Sequence, residues 1–119
     1  MLHVMHSTAT ETRSVYVHVP FCAHRCPYCN FTLIADRDDL IESYLTALRE
    51  ELSWLDDTFS IDTLYLGGGT PSHLPPRLLD ELFQIVLERF TLAAGFEFTM
   101  EANPADITPE LVRVMNTYQ

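Results

Sequence analysis

Ser14-Val15-Tyr16-Val17-His18-Val19-Pro20-Phe21-Cys22-Ala23-His24-Arg25-Cys26-Pro27-Tyr28-Cys29-Asn30-Phe31 joins an apolar run to a short loop that holds every cysteine of the chain. Residues 15–19 read as a buried strand, and Pro20, which has no N–H to give a sheet ladder, ends it. Three cysteines within eight residues are an odd, clustered set, which suits metal ligation better than a disulfide framework. Their C-x3-C-x2-C spacing on one loop just past a strand suggests a metal centre with one coordination position left open.

Two donor chemistries fit that loop. Structural zinc closes four ligands, so His18 or His24 would have to join the cysteines. Iron–sulfur clusters are commonly held by four cysteines, and this sequence has no fourth: Asn30 and Phe31 follow Cys29. A [4Fe–4S] cube on three thiolates keeps one iron without a protein ligand, free to chelate a small molecule through amino and carboxylate groups. The all-thiolate set favours the cube, with zinc as the rival.

Beyond the loop, apolar positions Ile41, Tyr44, Leu45, Leu48, Leu52 and Leu55 recur at helical spacing, predicting a helix over residues 39–55. Asp39 with Glu42 three residues on resembles a capping box. Residues 61–66 predict a second strand, closed by Gly67-Gly68-Gly69-Thr70-Pro71-Ser72. Pro75 and Pro76 open a second helix, with Leu78, Leu79, Leu82, Phe83, Val86 and Phe90 as its stripe. Gly95 marks a break before a third strand over residues 96–100, which Glu101-Ala102-Asn103-Pro104 closes. Thr108 as N-cap and Pro109 at the first helical position start a third helix carrying Leu111, Val112 and Met115.

Three strand–loop–helix units predict a parallel α/β sheet, in which ligands sit at the carboxyl ends of the strands. All three unusual sequences fall at such ends. Three parallel strands also leave two open edges, so the chain reads as a piece of a longer (β/α) barrel. Residues 1–13, polar and without periodicity, read as a disordered tail, and residues 14–119 as part of one domain.

The chain has 119 residues, 47% of them hydrophobic, an ordinary globular content. Its net charge of −10, with seven arginines and no lysine, argues against nucleic-acid binding and excludes a Walker A loop within these residues. No run approaches the roughly 18 apolar residues of a membrane span, and residues 1–13 hold no signal-peptide pattern. These features predict a soluble, cytoplasmic protein.

Each flanking loop contributes candidate ligand contacts. Three consecutive glycines cost backbone entropy and are easiest to justify where backbone approaches a ligand closely. Glu101 at a strand end is a natural acceptor for an ammonium or hydroxyl group. Tyr16 and His18 share one face of the first strand, and Tyr28 adjoins Cys29, where it would pack over a ligand or wall the centre from water.

C-x3-C-x2-C after a strand, together with Tyr16-Val-His-Val-Pro-Phe-Cys22, Cys26-Pro-Tyr-Cys29-Asn-Phe31, Gly67-Gly-Gly-Thr-Pro-Ser72 and Glu101-Ala-Asn-Pro104, resembles the radical S-adenosylmethionine (SAM) family. The fuller text is similar to the branch that contains oxygen-independent coproporphyrinogen III oxidase and the heme chaperone HemW. The resemblance runs from about Ser14 to the end and implies the N-terminal (βα)3 portion of a partial (β/α)6 TIM-type barrel, without the remaining strands and C-terminal domain. It implies that Cys22, Cys26 and Cys29 ligate a [4Fe–4S] cluster. Tyr16, Gly68 and Glu101 would then contact SAM on the open iron, and Tyr28, Gly69 and Thr70 match positions lining a second SAM in the oxidase.

The implied chemistry is one-electron reduction of the sulfonium to methionine and a 5′-deoxyadenosyl radical, fed by a flavodoxin- or ferredoxin-like donor. One departure divides the branch: the oxidase carries a further cysteine two positions after the third, and here that residue is Phe31. That favours the chaperone pattern, with heme as ligand and an acceptor protein as partner. The oxidase, an oxidoreductase acting on a porphyrin precursor, is the alternative, and a zinc-binding or electron-transfer module the non-enzymatic one.

Overall fold

In chain order the elements are strands β1 (Leu2–His6), β2 (Thr12–Val19), β3 (Phe21–Cys22) and β4 (Ile34–Ala35), helix α1 (Ile41–Ser53), strand β5 (Phe59–Gly68), helix α2 (Pro76–Leu87), strand β6 (Phe90–Met100) and helix α3 (Pro109–Thr117). This computed structural model describes residues 2–6 and 12–118. Four strands form one sheet in the order β1-β2-β5-β6. The β2, β5 and β6 strands run parallel, with Tyr16 beside Tyr65 and Tyr65 beside Thr99.

Alternation decides which side of the sheet is buried. Val15, Val17 and Val19 of β2 and Ile61, Leu64 and Leu66 of β5 are at most 2% exposed, because they meet the apolar stripes of the helices: Ile41, Leu45, Leu48 and Leu52 of α1, six residues of α2 and Leu111 of α3. Residues between them on β2, and Tyr65 on β5, point the other way; the alternation of β5 is broken between Ile61 and Leu64, where its pairing with β6 is irregular. The expected strand–helix alternation and parallel sheet are present.

Four details differ from the expectations. The tail expected over residues 1–13 contains a strand: Leu2–His6 pairs antiparallel with β2, from Leu2 beside Val17 to His6 beside Thr12. Thr12 and Arg13 belong to β2 itself. The physical reason is that edge: β2 would otherwise present a row of unpaired N–H and C=O groups. Met1 and residues 7–11 of that expected tail lie outside the described residues. Asp39 does not cap α1, whose N-cap is Leu40 without a side-chain bond; its carboxylate is held instead by two bonds from Arg37, both 2.9 Å. That pairing holds the Asp39 carboxyl below its usual range.

Phe90, placed by its spacing on the second helix, opens β6 and is fully buried there. Gly95, expected as a break, lies inside β6, where Asp62 stands opposite residues 93–96, a bulge in the pairing. Its φ of +76° is a backbone conformation that glycine adopts without strain. The third helix starts as expected: the Thr108 hydroxyl accepts from the Leu111 N–H at 3.2 Å, and Pro109 follows.

Candidate functional site

The carboxyl ends of β2, β5 and β6 converge, and each delivers one of the three unusual loops. The first is clamped at its neck, where β3 and β4 pair Phe21 with Ile34 and Cys22 with Ala35. Within it, the Cys29 N–H donates to the Cys26 carbonyl at 3.0 Å, a turn that sets these two cysteines on one bend, and Arg25 donates to the Leu33 carbonyl at 2.9 Å. All three cysteines are free thiols; Cys22 is buried and the others half-buried.

Across from them lies the glycine loop. The Gly69 and Thr70 N–H groups donate to the carbonyls of Val19 and Phe21, at 2.7 and 2.8 Å, binding the end of β5 to the end of β2. A Cβ on Gly69 would stand 2.7 Å from the Phe21 carbonyl oxygen, a clash with backbone that cannot move aside. Gly68 has φ of +112°, and a Cβ there would sit 2.4 Å from the ring of His18. The glycines therefore answer first to the chain's own packing. Thr70 Oγ1 comes within 3.4 Å of Cys22 Sγ, linking this loop to the cysteine loop.

Glu101, at the end of β6, completes the ring. Its Oε1 accepts from the Tyr65 hydroxyl at 2.9 Å and its Oε2 from the Gly68 N–H at 3.1 Å. Below it, Ser72 is 4% exposed and donates to Asp106 at 2.7 Å, while accepting from the Asn103 N–H at 2.9 Å. These bonds fasten the second loop to the third.

A cavity of about 440 Å³ opens between the three loops, lined by Cys22, Cys26, Cys29, Tyr28, Gly68, Gly69, Thr70 and Glu101 among others. That volume lies within the about 300–1,000 Å³ of small-molecule sites. Eight of the nine candidate residues share this wall. Tyr16, the ninth, stands behind it: its ring stacks on Tyr65 at 5.8 Å with planes 23° apart. Partial burial, then the Glu101 charge, raise the Tyr16 hydroxyl above its usual range. Tyr28 is 86% exposed, and a hydrogen bond to Cys26 raises its hydroxyl likewise.

Spacing alone left several wall and support residues unassigned. Asn103, Asp106 and His73 line the same cavity, and His18 supports it. His18 Nε2 lies 2.7 Å from the Thr32 carbonyl and Nδ1 3.3 Å from the Tyr16 hydroxyl. A carbonyl only accepts, so Nε2 donates to Thr32, while Nδ1 shares a hydrogen bond with the Tyr16 hydroxyl. His18 is thus committed to bracing the cysteine loop, which removes it as a fourth metal ligand in this arrangement; His24 lines the cavity. Among the described residues, no three His, Cys, Asp or Glu side chains converge on one metal ion. The donors at hand are three free thiols spread along one wall, a set whose chemistry fits an iron–sulfur cluster.

The family model of the radical SAM superfamily matches residues 16–118. This chain belongs to the radical SAM superfamily. A [4Fe–4S] cluster and SAM are the general cofactors of radical SAM proteins. The chain is 39% identical over 108 residues to the heme chaperone HemW of Lactococcus lactis, covering 88% of this chain and 27% of that protein. It is 34% identical over 112 residues to the oxygen-independent coproporphyrinogen III oxidase of Bradyrhizobium diazoefficiens, covering 90% and 25%. Among solved structures, the radical SAM enzyme coproporphyrinogen III oxidase (HemN) of Escherichia coli superposes with a TM-score of 0.78 at 27% identity, over 89% of this chain and 25% of that one. The chain spans about a quarter of the length of these relatives. No helix among its described residues is long and apolar enough to cross a membrane.

Proposed function

We propose that this chain forms the cofactor-binding part of a radical SAM protein of the heme-chaperone type, which binds heme and passes it to an acceptor protein in the cytoplasm. The observation that carries the proposal is the single cavity that joins Cys22, Cys26 and Cys29 to Gly68, Gly69, Thr70 and Glu101. The three cysteines would hold the cluster, and its open iron would take the amino and carboxylate groups of SAM. When bound and reduced by one electron from a flavodoxin- or ferredoxin-like donor, that pair would supply radical chemistry, cleaving the sulfonium C–S bond to methionine and a 5′-deoxyadenosyl radical.

The chain's own residues bind and orient. Glu101 offers an anionic acceptor to an N–H or O–H donor of the ligand, a charge-assisted bond stronger than a neutral one. Gly68 and Gly69 let the loop lie close against His18 and the backbone of residues 19–21 that leads into the cysteine loop, and Tyr16 backs the wall through Tyr65. Tyr28, Gly69 and Thr70 border the side on which a second small molecule would lie. Phe31, 70% exposed, stands where the oxidase pattern has a further cysteine, which supports the chaperone over the oxidase.

The purified protein, reconstituted with iron and sulfide and titrated with hemin, should develop a saturable heme absorbance band. Given SAM, a reductant and coproporphyrinogen, it should release no carbon dioxide. Decarboxylation would transfer the assignment to the oxidase, and a protein that binds neither tetrapyrrole would remove both.

A further inference from the structure

Tyr65 stands on the ligand-facing side of β5, yet it is not part of the cavity wall. Its hydroxyl reaches Glu101 Oε1 at 2.9 Å. The other carboxylate oxygen is held by the Gly68 N–H at 3.1 Å. The ring is fixed from behind by the Tyr16 stack at 5.8 Å. Ring and carboxylate also lie directly over Gly67, where a Cβ would come within 2.7 Å of Tyr65 Cε1 and 2.9 Å of the Glu101 carboxyl carbon. Glu101 is exposed and follows the last residue of β6, so these two bonds are what holds its carboxylate in one orientation.

We infer that Tyr65 is a positioning residue that pre-orients the Glu101 carboxylate toward an N–H or O–H donor of the bound SAM. The inference rests on the assignment of Glu101 to SAM given above. A carboxylate oxygen accepts more than one hydrogen bond, so the bond from Tyr65 leaves Oε1 able to accept a second one from a ligand. Without the phenol, Glu101 swings among rotamers and must be ordered when the ligand arrives, which weakens binding. The same bond, followed by partial burial and the Glu101 charge, raises the Tyr65 hydroxyl above its ordinary range.

Equilibrium dialysis of SAM against the iron- and sulfide-reconstituted protein tests this. Tyr65→Phe keeps the stack on Tyr16 and removes only the hydroxyl. It should raise the SAM dissociation constant about tenfold while iron content and thermal midpoint stay at the wild-type values. In a Glu101→Gln background, where binding is already weakened, Tyr65→Phe should add little, since it acts through the carboxylate. A cofactor-free readout runs in parallel: ultraviolet titration of the apoprotein's five tyrosines should show two, Tyr65 and Tyr16, ionising at lower pH in Glu101→Gln than in wild type.

Unchanged binding by Tyr65→Phe, or an equal loss in both backgrounds, overturns the inference alone. A wild-type protein that takes up iron but no SAM overturns the site assignment, and the inference with it.

Discussion

The two faces of β2 and β5 are built from alternate residues of the same few turns of chain, and they share almost no chemistry. The outer face, Val15, Val17, Val19, Leu64 and Leu66, is at most 2% exposed and packs on the helices. The inner face carries Tyr16, His18 and Tyr65: Tyr16 bonds to His18, His18 to the cysteine loop and Tyr65 to Glu101. Burial of apolar area stabilises the first, at roughly 1.5–3 kcal/mol per large side chain. The second spends its bonds on holding loops in place. Stability and site chemistry are therefore separable by residue parity, except where the faces meet at the strand ends.

The widest separation is expected at Cys26. Replacing it by alanine should abolish cluster iron after reconstitution, measured by iron assay, while urea unfolding of the metal-free protein moves by less than about 1 kcal/mol. Iron retained in Cys26→Ala would exclude Cys26 as a ligand. The converse is Leu66→Ala on the outer face, expected to cost about 2–5 kcal/mol in the same unfolding experiment and yet to leave a folded protein that still takes up iron in the cold.

Gly68→Ala should breach the division. The substituent meets the His18 ring and forces a positive φ on a residue with a Cβ, at about 1–3 kcal/mol for the backbone alone. Because His18 braces Thr32 in the cysteine loop, iron uptake should fall together with stability. A variant that loses only one of them would show that the faces do not meet there.

The smallest effect belongs to Tyr44, which donates to the His18 carbonyl at 2.7 Å from the helix side. Its phenylalanine variant should lose about 1 kcal/mol at neutral pH. Burial, aided by the charges of Glu51 and Tyr16, pushes the Tyr44 hydroxyl far above its reference pKa of 10.0. A folded pKa above the unfolded one means stability that is complete below pH 10 and falls as pH rises beyond it. Tyr44→Phe should flatten that alkaline decline in a pH series of urea melts.

Much of this division could be read from the sequence, because it is written in local periods. The alternation of residues 15–19 and the helical spacing from Ile41 to Leu52 each specify a buried face without reference to anything distant. Phe90 shows the limit: it continues the spacing of Val86 and is buried, but on β6, since one apolar residue at a helix end fits either period. Asp39 failed as a cap because Arg37, two residues away, competes for the same carboxylate. The strand at Leu2–His6 was illegible because its cause is the edge of β2, a property of the assembled sheet.

In the site, the loops announced themselves by composition, as cysteines, glycines and a strand-end glutamate. What joined them did not. The stack of Tyr16 on Tyr65, the bond from Tyr65 to Glu101 and the seat of His18 over Gly68 all depend on strand register. No residue of one strand signals which residue of another will lie beside it.

The central claim is that the three cysteines and the Gly68–Glu101 wall form one ligand site. Electron paramagnetic resonance of the reconstituted, dithionite-reduced protein, recorded while SAM is added, tests it most directly. The expected result is a cluster signal that changes shape saturably with SAM, and does so at much higher concentration in Glu101→Gln. A cluster signal indifferent to SAM, or a colourless protein holding stoichiometric zinc, would contradict it.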